Sequence, residues 1–77
     1  MKALLVDDER LARSELRRLL RAHPEIEIVG EAANATQAEE RIAALHPDLI
    51  FLDVQMPGRT GFELLADLAD APRVIFT

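Results

Sequence analysis

Asp7 and Asp8 stand side by side where the apolar run Ala3-Leu4-Leu5-Val6 ends, and Asp53 ends a second such run, Leu49-Ile50-Phe51-Leu52. A further apolar run, Val74-Ile75-Phe76, leads into Thr77. Carboxylates brought together repel: two unit charges ~4 Å apart at an effective dielectric near 20 cost about 4 kcal/mol. A protein keeps such a cluster by protonating one acid or by neutralising the set with a cation. A hard divalent cation with oxygen ligands is the natural solution, and Mg²⁺ favours one or two carboxylates together with waters and phosphate oxygens. Carboxylates also serve as phosphoryl acceptors, and that transfer rests on positioning and charge neutralisation. The plainer role for Asp7 or Asp8 is to cap a helix N-terminus, and for Asp53 to mark where a buried strand leaves the core. The coincidence of all three at the ends of apolar runs weighs against purely structural roles for the set.

The elements that must position these groups follow from periodicity. Ala3-Leu4-Leu5-Val6 reads as a strand buried on both faces. A helix is predicted over about 9–22, with Ala12, Leu16, Leu19 and Leu20 on one face and Arg10, Arg13, Arg17 and Arg21 on another. Pro24 ends it, with His23 in the last turn. A second strand is predicted over 26–29, with Ile26 and Ile28 alternating against Glu25 and Glu27. Thr36 with Glu39 has capping-box spacing and Asn34 is a rival cap for a second helix through Ala35, Ala38, Ile42 and Leu45, which His46-Pro47 ends. Leu49-Ile50-Phe51-Leu52 is the third strand. Thr60 and Glu63 have capping-box spacing again, opening a third helix through Leu64, Leu65 and Leu68, and Val74-Ile75-Phe76 is the fourth strand. This alternation predicts a parallel sheet with right-handed crossovers. Parallel strands share the direction of their C-terminal ends, where ligands of such sheets bind, so topology brings Asp7, Asp8, Asp53 and Thr77 to one rim.

Bulk properties narrow the class. The chain has 77 residues, 49% apolar and 30% charged, a net charge of −5 and no cysteine. That is the composition of one soluble globular domain, and it excludes disulfide scaffolds, thiolate zinc sites and thiol chemistry. The acidic balance argues against direct nucleic-acid or anionic-membrane binding. No stretch approaches the roughly 18 apolar residues of a membrane span and no secretory signal is visible, so a cytoplasmic protein is expected.

Leu5-Val6-Asp7-Asp8-Glu9, then Asp48-Leu49-Ile50-Phe51-Leu52-Asp53-Val54-Gln55-Met56-Pro57-Gly58, then Gly61-Phe62-Glu63 resemble the receiver domains of two-component response regulators, and the resemblance covers the whole chain. Asp8-Glu9-Arg10-Leu11-Ala12-Arg13 is similar to the subgroup with a LytTR-type DNA-binding domain downstream. The resemblance implies a flavodoxin-like, three-layer α/β fold with strand order 2-1-3-4, residues 1–77 forming the N-terminal part of one domain that lacks strand five and the last two helices. It implies that Asp53 takes a phosphoryl group from the phosphohistidine of a sensor histidine kinase. Asp8 would bind Mg²⁺ directly together with Asp53, and Asp7 largely through water, while Gln55 would offer its backbone carbonyl to the metal. Thr77 would be the switch hydroxyl that hydrogen-bonds the phosphoryl oxygen, and Pro57 and Gly58 would shape the adjoining loop. Such a domain is a phosphoacceptor with Mg²⁺-dependent self-phosphorylation, not a dedicated enzyme.

The family also uses a lysine ending strand five, whereas the single lysine here, Lys2, lies at the opposite end of strand one. The expectation is a truncated polypeptide whose apolar fourth strand is an edge, and which associates as a homo-oligomer or swapped dimer. The arginine stripe of helix one is a solvated face or a kinase-docking face, and His23, His46 and Met56 have structural roles. Among other readings, a haloacid-dehalogenase-like phosphohydrolase expects an aspartate where Gln55 stands. A toprim-like nuclease expects Asp-x-Asp where Asp7 and Asp8 are adjacent. A nucleotide site of the Walker type lacks its glycine-rich lysine loop. A pseudo-receiver scaffold, never phosphorylated and acting in protein association, remains the alternative from a different class.

Overall fold

The computed structural model describes residues 1–77. Each apolar run forms a strand: β1 (Lys2–Val6), β2 (Glu27–Ala32), β3 (Leu49–Leu52) and β4 (Arg73–Phe76). Between them lie α1 (Arg10–Leu19), which tightens into a 3-10 turn at Leu20–Ala22, then α2 (Ala35–Leu45) and α3 (Gly61–Asp67). The sheet is parallel in the order β2-β1-β3-β4, the order expected. β1 and β3 are central, and from Ala3 to Val6 and Leu49 to Leu52 every residue is buried. Leu4, Val6, Ile50 and Leu52 pack with Ala35 and Ala38 of α2 and Leu64 of α3. Ala3, Leu5, Leu49 and Phe51 pack with Leu16 and Leu20 on the side of α1. Helices therefore cover both faces, which is why these strands carry no polar alternation. The large fully buried side chains among them, Leu4, Leu5, Val6, Ile50, Leu52 and Leu64, contribute about 1.5–3 kcal/mol each.

Three local expectations are corrected. The second helix is capped by Asn34, whose side chain accepts from Gln37 N–H at 2.8 Å, while Gln37 Oε1 accepts from Ala33 N–H at 2.9 Å. Starting at Ala35 buries Ala35 and Ala38 against the sheet, which places Thr36 inside the first turn and removes it from the cap. Leu19, predicted to face the core, is 55% exposed. It lines an open groove of about 290 Å³ with Asp7, Ala12, Glu15, Leu16 and Thr77, while Leu16 and Leu20 carry the contact with the sheet. The third helix stops at Asp67, and Leu68 is its extended C-cap. The Thr60–Glu63 capping box forms as predicted, with Thr60 Oγ1 accepting from Glu63 N–H at 3.2 Å and Glu63 Oε1 accepting from Thr60 N–H at 3.0 Å.

β2 starts one residue later and runs farther than the predicted 26–29, and it contains a bulge. Ala3 lies opposite Ile28 but Leu4 lies opposite Gly30, so Val29 is an extra residue in the ladder. A bulge reverses the in-and-out phase beyond it. Ile28 packs on the α1 side, yet Gly30 faces α2, where a Cβ would come within 2.8 Å of Leu45 Cδ1. Glu31 is thereby turned to the α1 side, where it meets two arginines.

Candidate functional site

Asp7 and Asp8 follow β1, Asp53 follows β3 and Thr77 follows β4, all at the C-terminal rim of the sheet. Main-chain bonds lock their places: Asp7 N–H to Ala32 O at 3.1 Å, Asp53 N–H to Val6 O at 2.9 Å and Thr77 N–H to Leu52 O at 2.9 Å. The ladder thus continues one residue past each strand and carries the acids with it. One carboxylate oxygen from each of Asp7, Asp8 and Asp53 lies within 4.8 Å of the others. Neither Asp7 nor Asp8 caps α1, whose N-cap is Glu9; instead Asp7 Oδ1 accepts from Glu9 N–H at 2.9 Å. Asp7 thus also serves the entry to α1.

The three acids differ in setting. Asp8 is exposed, whereas Asp7 and Asp53 are half-buried. Loss of hydration pushes the Asp53 carboxyl above its ordinary value, the N–H of Gln55 pulls it back, and the charges of Asp7 and Asp8 push it up again. That Gln55 N–H donates to Asp53 Oδ1 at 3.0 Å, which orients the carboxylate. Such a set, all hard oxygen donors close enough to share one ion, fits Mg²⁺. Gln55 itself is exposed and adjoins the cluster through its backbone. Thr77 is exposed at the end of β4 and shares the groove wall with Asp7.

Two features near the site were not assigned roles from sequence. Gly61 opens α3 directly against the Asp53 loop, and a Cβ there would meet the Asp53 carbonyl oxygen at 2.6 Å. Arg59, in the loop after Asp53, binds Glu39 of α2 and reaches Asp67 Oδ2 of α3 at 2.6 Å. The signal for Gly61 was its place one residue after the Thr60 cap, where a helix start must approach the loop. Met56 is buried in the core beside α2 and α3, in keeping with a structural role. His46 takes the left-handed C-cap of α2 at φ 48°, and His23 Nδ1 lies 3.3 Å from Glu25 Oε1. Within the arginine stripe Arg13 and Arg17 both bind Glu31, while Arg10 and Arg21 are exposed. No helix is long and apolar enough to cross a membrane.

Comparison with known proteins converges on one family. Residues 3–77 match the family described as the response regulator receiver domain. The chain is 47% identical to an uncharacterized response regulatory protein of Vibrio cholerae, over 99% of its own length and 33% of that protein. It has the same identity and coverage with the transcriptional regulatory protein BtsR of Salmonella typhi. The chain thus spans 33% of the length of these relatives. Among solved structures, the response regulator domain of Thermotoga maritima CheB superposes with a TM-score of 0.86 at 33% identity, over 99% of this chain and 58% of that one. The response regulatory domain of mrkE from Klebsiella pneumoniae superposes with a TM-score of 0.83 at 33% identity, over 99% of this chain and 65% of that one.

Proposed function

We propose, from the premise that this chain belongs to the response regulator receiver domains, that it accepts a phosphoryl group on Asp53 from the phosphohistidine of a sensor histidine kinase. The observation that carries this is the meeting of Asp7, Asp8 and Asp53 oxygens within 4.8 Å at the end of the two central strands. An Asp53 carboxylate oxygen attacks phosphorus as the donor P–N bond breaks. The electron pair stays on the imidazole nitrogen, and an acyl phosphate forms on Asp53. Asp8 and Asp53 would hold Mg²⁺ directly, Asp7 would hold it largely through water, and Gln55 would offer its backbone carbonyl. Bound there, Mg²⁺ supplies positive charge against the phosphate oxygens and the acids. Gln55 N–H steadies the attacking carboxylate, and the Thr77 hydroxyl donates to a phosphoryl oxygen of the product.

The chain is in this reading a phosphoacceptor that catalyses its own modification and not a dedicated enzyme, working in the cytoplasm. A DNA-binding output of LytTR type in a longer protein is proposed with it, since matched relatives carry the name transcriptional regulatory protein while the chain spans 33% of their length. The test uses phosphoramidate, a small donor with the same P–N bond. After incubation with Mg²⁺ and peptide mapping, the phosphoryl group is expected on the peptide holding Asp53. A label on any other residue overturns the assignment.

One observation favours association as a second reading. β4 is an edge strand, and Ile75 and Phe76 on it are 47% and 45% exposed. Unpaired edges of apolar strands recruit further strands, so the isolated 77-residue polypeptide is expected to self-associate with rising concentration. Light scattering that reports monomer at every concentration removes this reading.

A further inference from the structure

Arg13 ties the acidic rim to the neighbouring edge strand. Its Nη1 donates to the main-chain oxygen of Asp7 at 2.5 Å, and its Nε donates to Glu31 Oε1 at 2.8 Å. The side chain is only 14% exposed, and a guanidinium so enclosed needs its charge paired and its donors used. Glu31 is itself held, since its second oxygen accepts from Arg17 Nε at 3.1 Å and Nη2 at 2.8 Å. Burial alone would raise the Glu31 carboxyl, but the hydrogen bonds from Arg17 and Arg13 outweigh it and hold Glu31 below its ordinary value. Glu31 reaches this position because of the bulge at Val29, which turns it to the α1 side.

The oxygen that Arg13 grips belongs to the peptide joining Asp7 to Asp8. Holding it fixes the plane of that peptide and with it the direction in which the Asp8 side chain leaves the backbone. Asp7 is also fixed by its N–H on Ala32 O and by its Oδ1 on Glu9 N–H. Asp8 is exposed, so its aim depends on this peptide. We infer that Arg13, braced by Glu31, is a positioning residue for divalent-cation binding: it sets the Asp7–Asp8 peptide so that both acids meet Asp53 around one ion. The inference rests on reading the three acids as a Mg²⁺ site.

Charge and geometry predict opposite signs. A fixed guanidinium beside a cation site repels the cation, so by charge alone removing Arg13 tightens Mg²⁺ binding. A positioning role predicts weaker binding, since partners behind a metal's ligands typically contribute 10–100-fold in affinity. The experiment is a Mg²⁺ titration of the whole chain followed by backbone amide shifts; with no Trp or Tyr present, intrinsic fluorescence gives no comparable readout. Asp8→Asn is expected to abolish the saturable shifts at the rim. Arg13→Ala and Glu31→Ala are each expected to weaken binding by about 10-fold, and the double variant to be no weaker than Arg13→Ala alone. Arg13→Lys keeps the charge but cannot grip both partners, and is expected to weaken binding less than Arg13→Ala. It also carries the test if Arg13→Ala fails to fold, because charge alone predicts no change for it. Binding as tight as wild type in Arg13→Lys, or tighter in a folded Arg13→Ala, overturns the positioning role while leaving the Mg²⁺ site intact. Absence of saturable shifts in wild type overturns the underlying site, and the positioning role with it.

Discussion

A chain carrying Asp53→Asn is expected to take up no phosphoryl group from acetyl phosphate and yet to melt higher than wild type in Mg²⁺-free buffer at neutral pH. The first effect follows from chemistry: an amide offers no carboxylate oxygen to attack phosphorus, and no other acid at the rim receives the Gln55 N–H that orients Asp53. The second follows from electrostatics. Loss of hydration pushes the Asp53 carboxyl up, the Gln55 N–H opposes this, and the neighbouring Asp7 and Asp8 charges add to the rise. A carboxyl raised in the folded state binds more protons there than in the unfolded chain, so stability falls as pH climbs through the raised value. Below the ordinary value of 3.8 the group is neutral in both states and the penalty vanishes. The melting difference between Asp53→Asn and wild type should therefore open as pH rises from that region toward neutrality. Adding Mg²⁺ should shrink it, because the ion neutralises the wild-type cluster and rewards its charge. An Asn variant that melts below wild type at neutral pH without Mg²⁺ would show that the acids are not in mutual repulsion. A persisting adduct would place the acceptor elsewhere.

Gly61→Ala is the second large effect. An added Cβ would lie 2.6 Å from the Asp53 carbonyl oxygen, 3.1 Å from Leu52 Cγ and 3.2 Å from Val54 Cα. Two of those three atoms are backbone, so no side chain can swing aside to admit it. The helix cannot retreat either, because Gly61 N–H is bonded to Val54 O at 2.9 Å and Leu64 is fully buried one turn on. Alanine is the better helix former by about 1 kcal/mol, but overpacking of this kind costs about 1–3 kcal/mol. A chain of this size draws only roughly 3–5 kcal/mol from its core. The net expectation is a lower melting temperature and slower phosphoryl uptake, since the peptide forced to move is that of Asp53. Gly58→Ala is the contrast. Gly58 sits at φ 82° with nothing within 4 Å of an added Cβ, so its cost is conformational, about 1–2 kcal/mol, and does not act by pushing on Asp53. A Gly61→Ala chain as stable and as quickly phosphorylated as wild type would show that the α3 start is not packed against the Asp53 loop.

The parts of this molecule that were legible in the sequence are those where one physical pattern has one solution. Continuous apolar runs of four residues that stop at acids have few placements other than central parallel strands, and β1 and β3 lie there. From their parallel direction the meeting of Asp7, Asp8 and Asp53 follows, and it is observed. The Thr60–Glu63 box was legible because Gly61 and Phe62 leave no rival cap between them. At α2 two caps competed, and burial of Ala35 and Ala38, a tertiary fact, selected Asn34. Leu19 was misplaced because helical phase says which residues share a face but not how far the sheet extends beneath them. The bulge at Val29 was invisible, as a single extra residue leaves the run of Ile26, Ile28 and Val29 looking regular. It is that bulge which takes Glu31 to Arg13 and Arg17, so two of the four arginines of the stripe brace the sheet edge.

The most direct test is the intact mass of the wild-type chain after incubation with acetyl phosphate, with and without Mg²⁺, beside Asp53→Asn. A single phosphoryl adduct that requires Mg²⁺ and is missing from the variant is the predicted result, and it would show the three acids acting as one phosphoacceptor site. No adduct in a folded sample, or the same adduct without Mg²⁺ or in Asp53→Asn, would contradict the account.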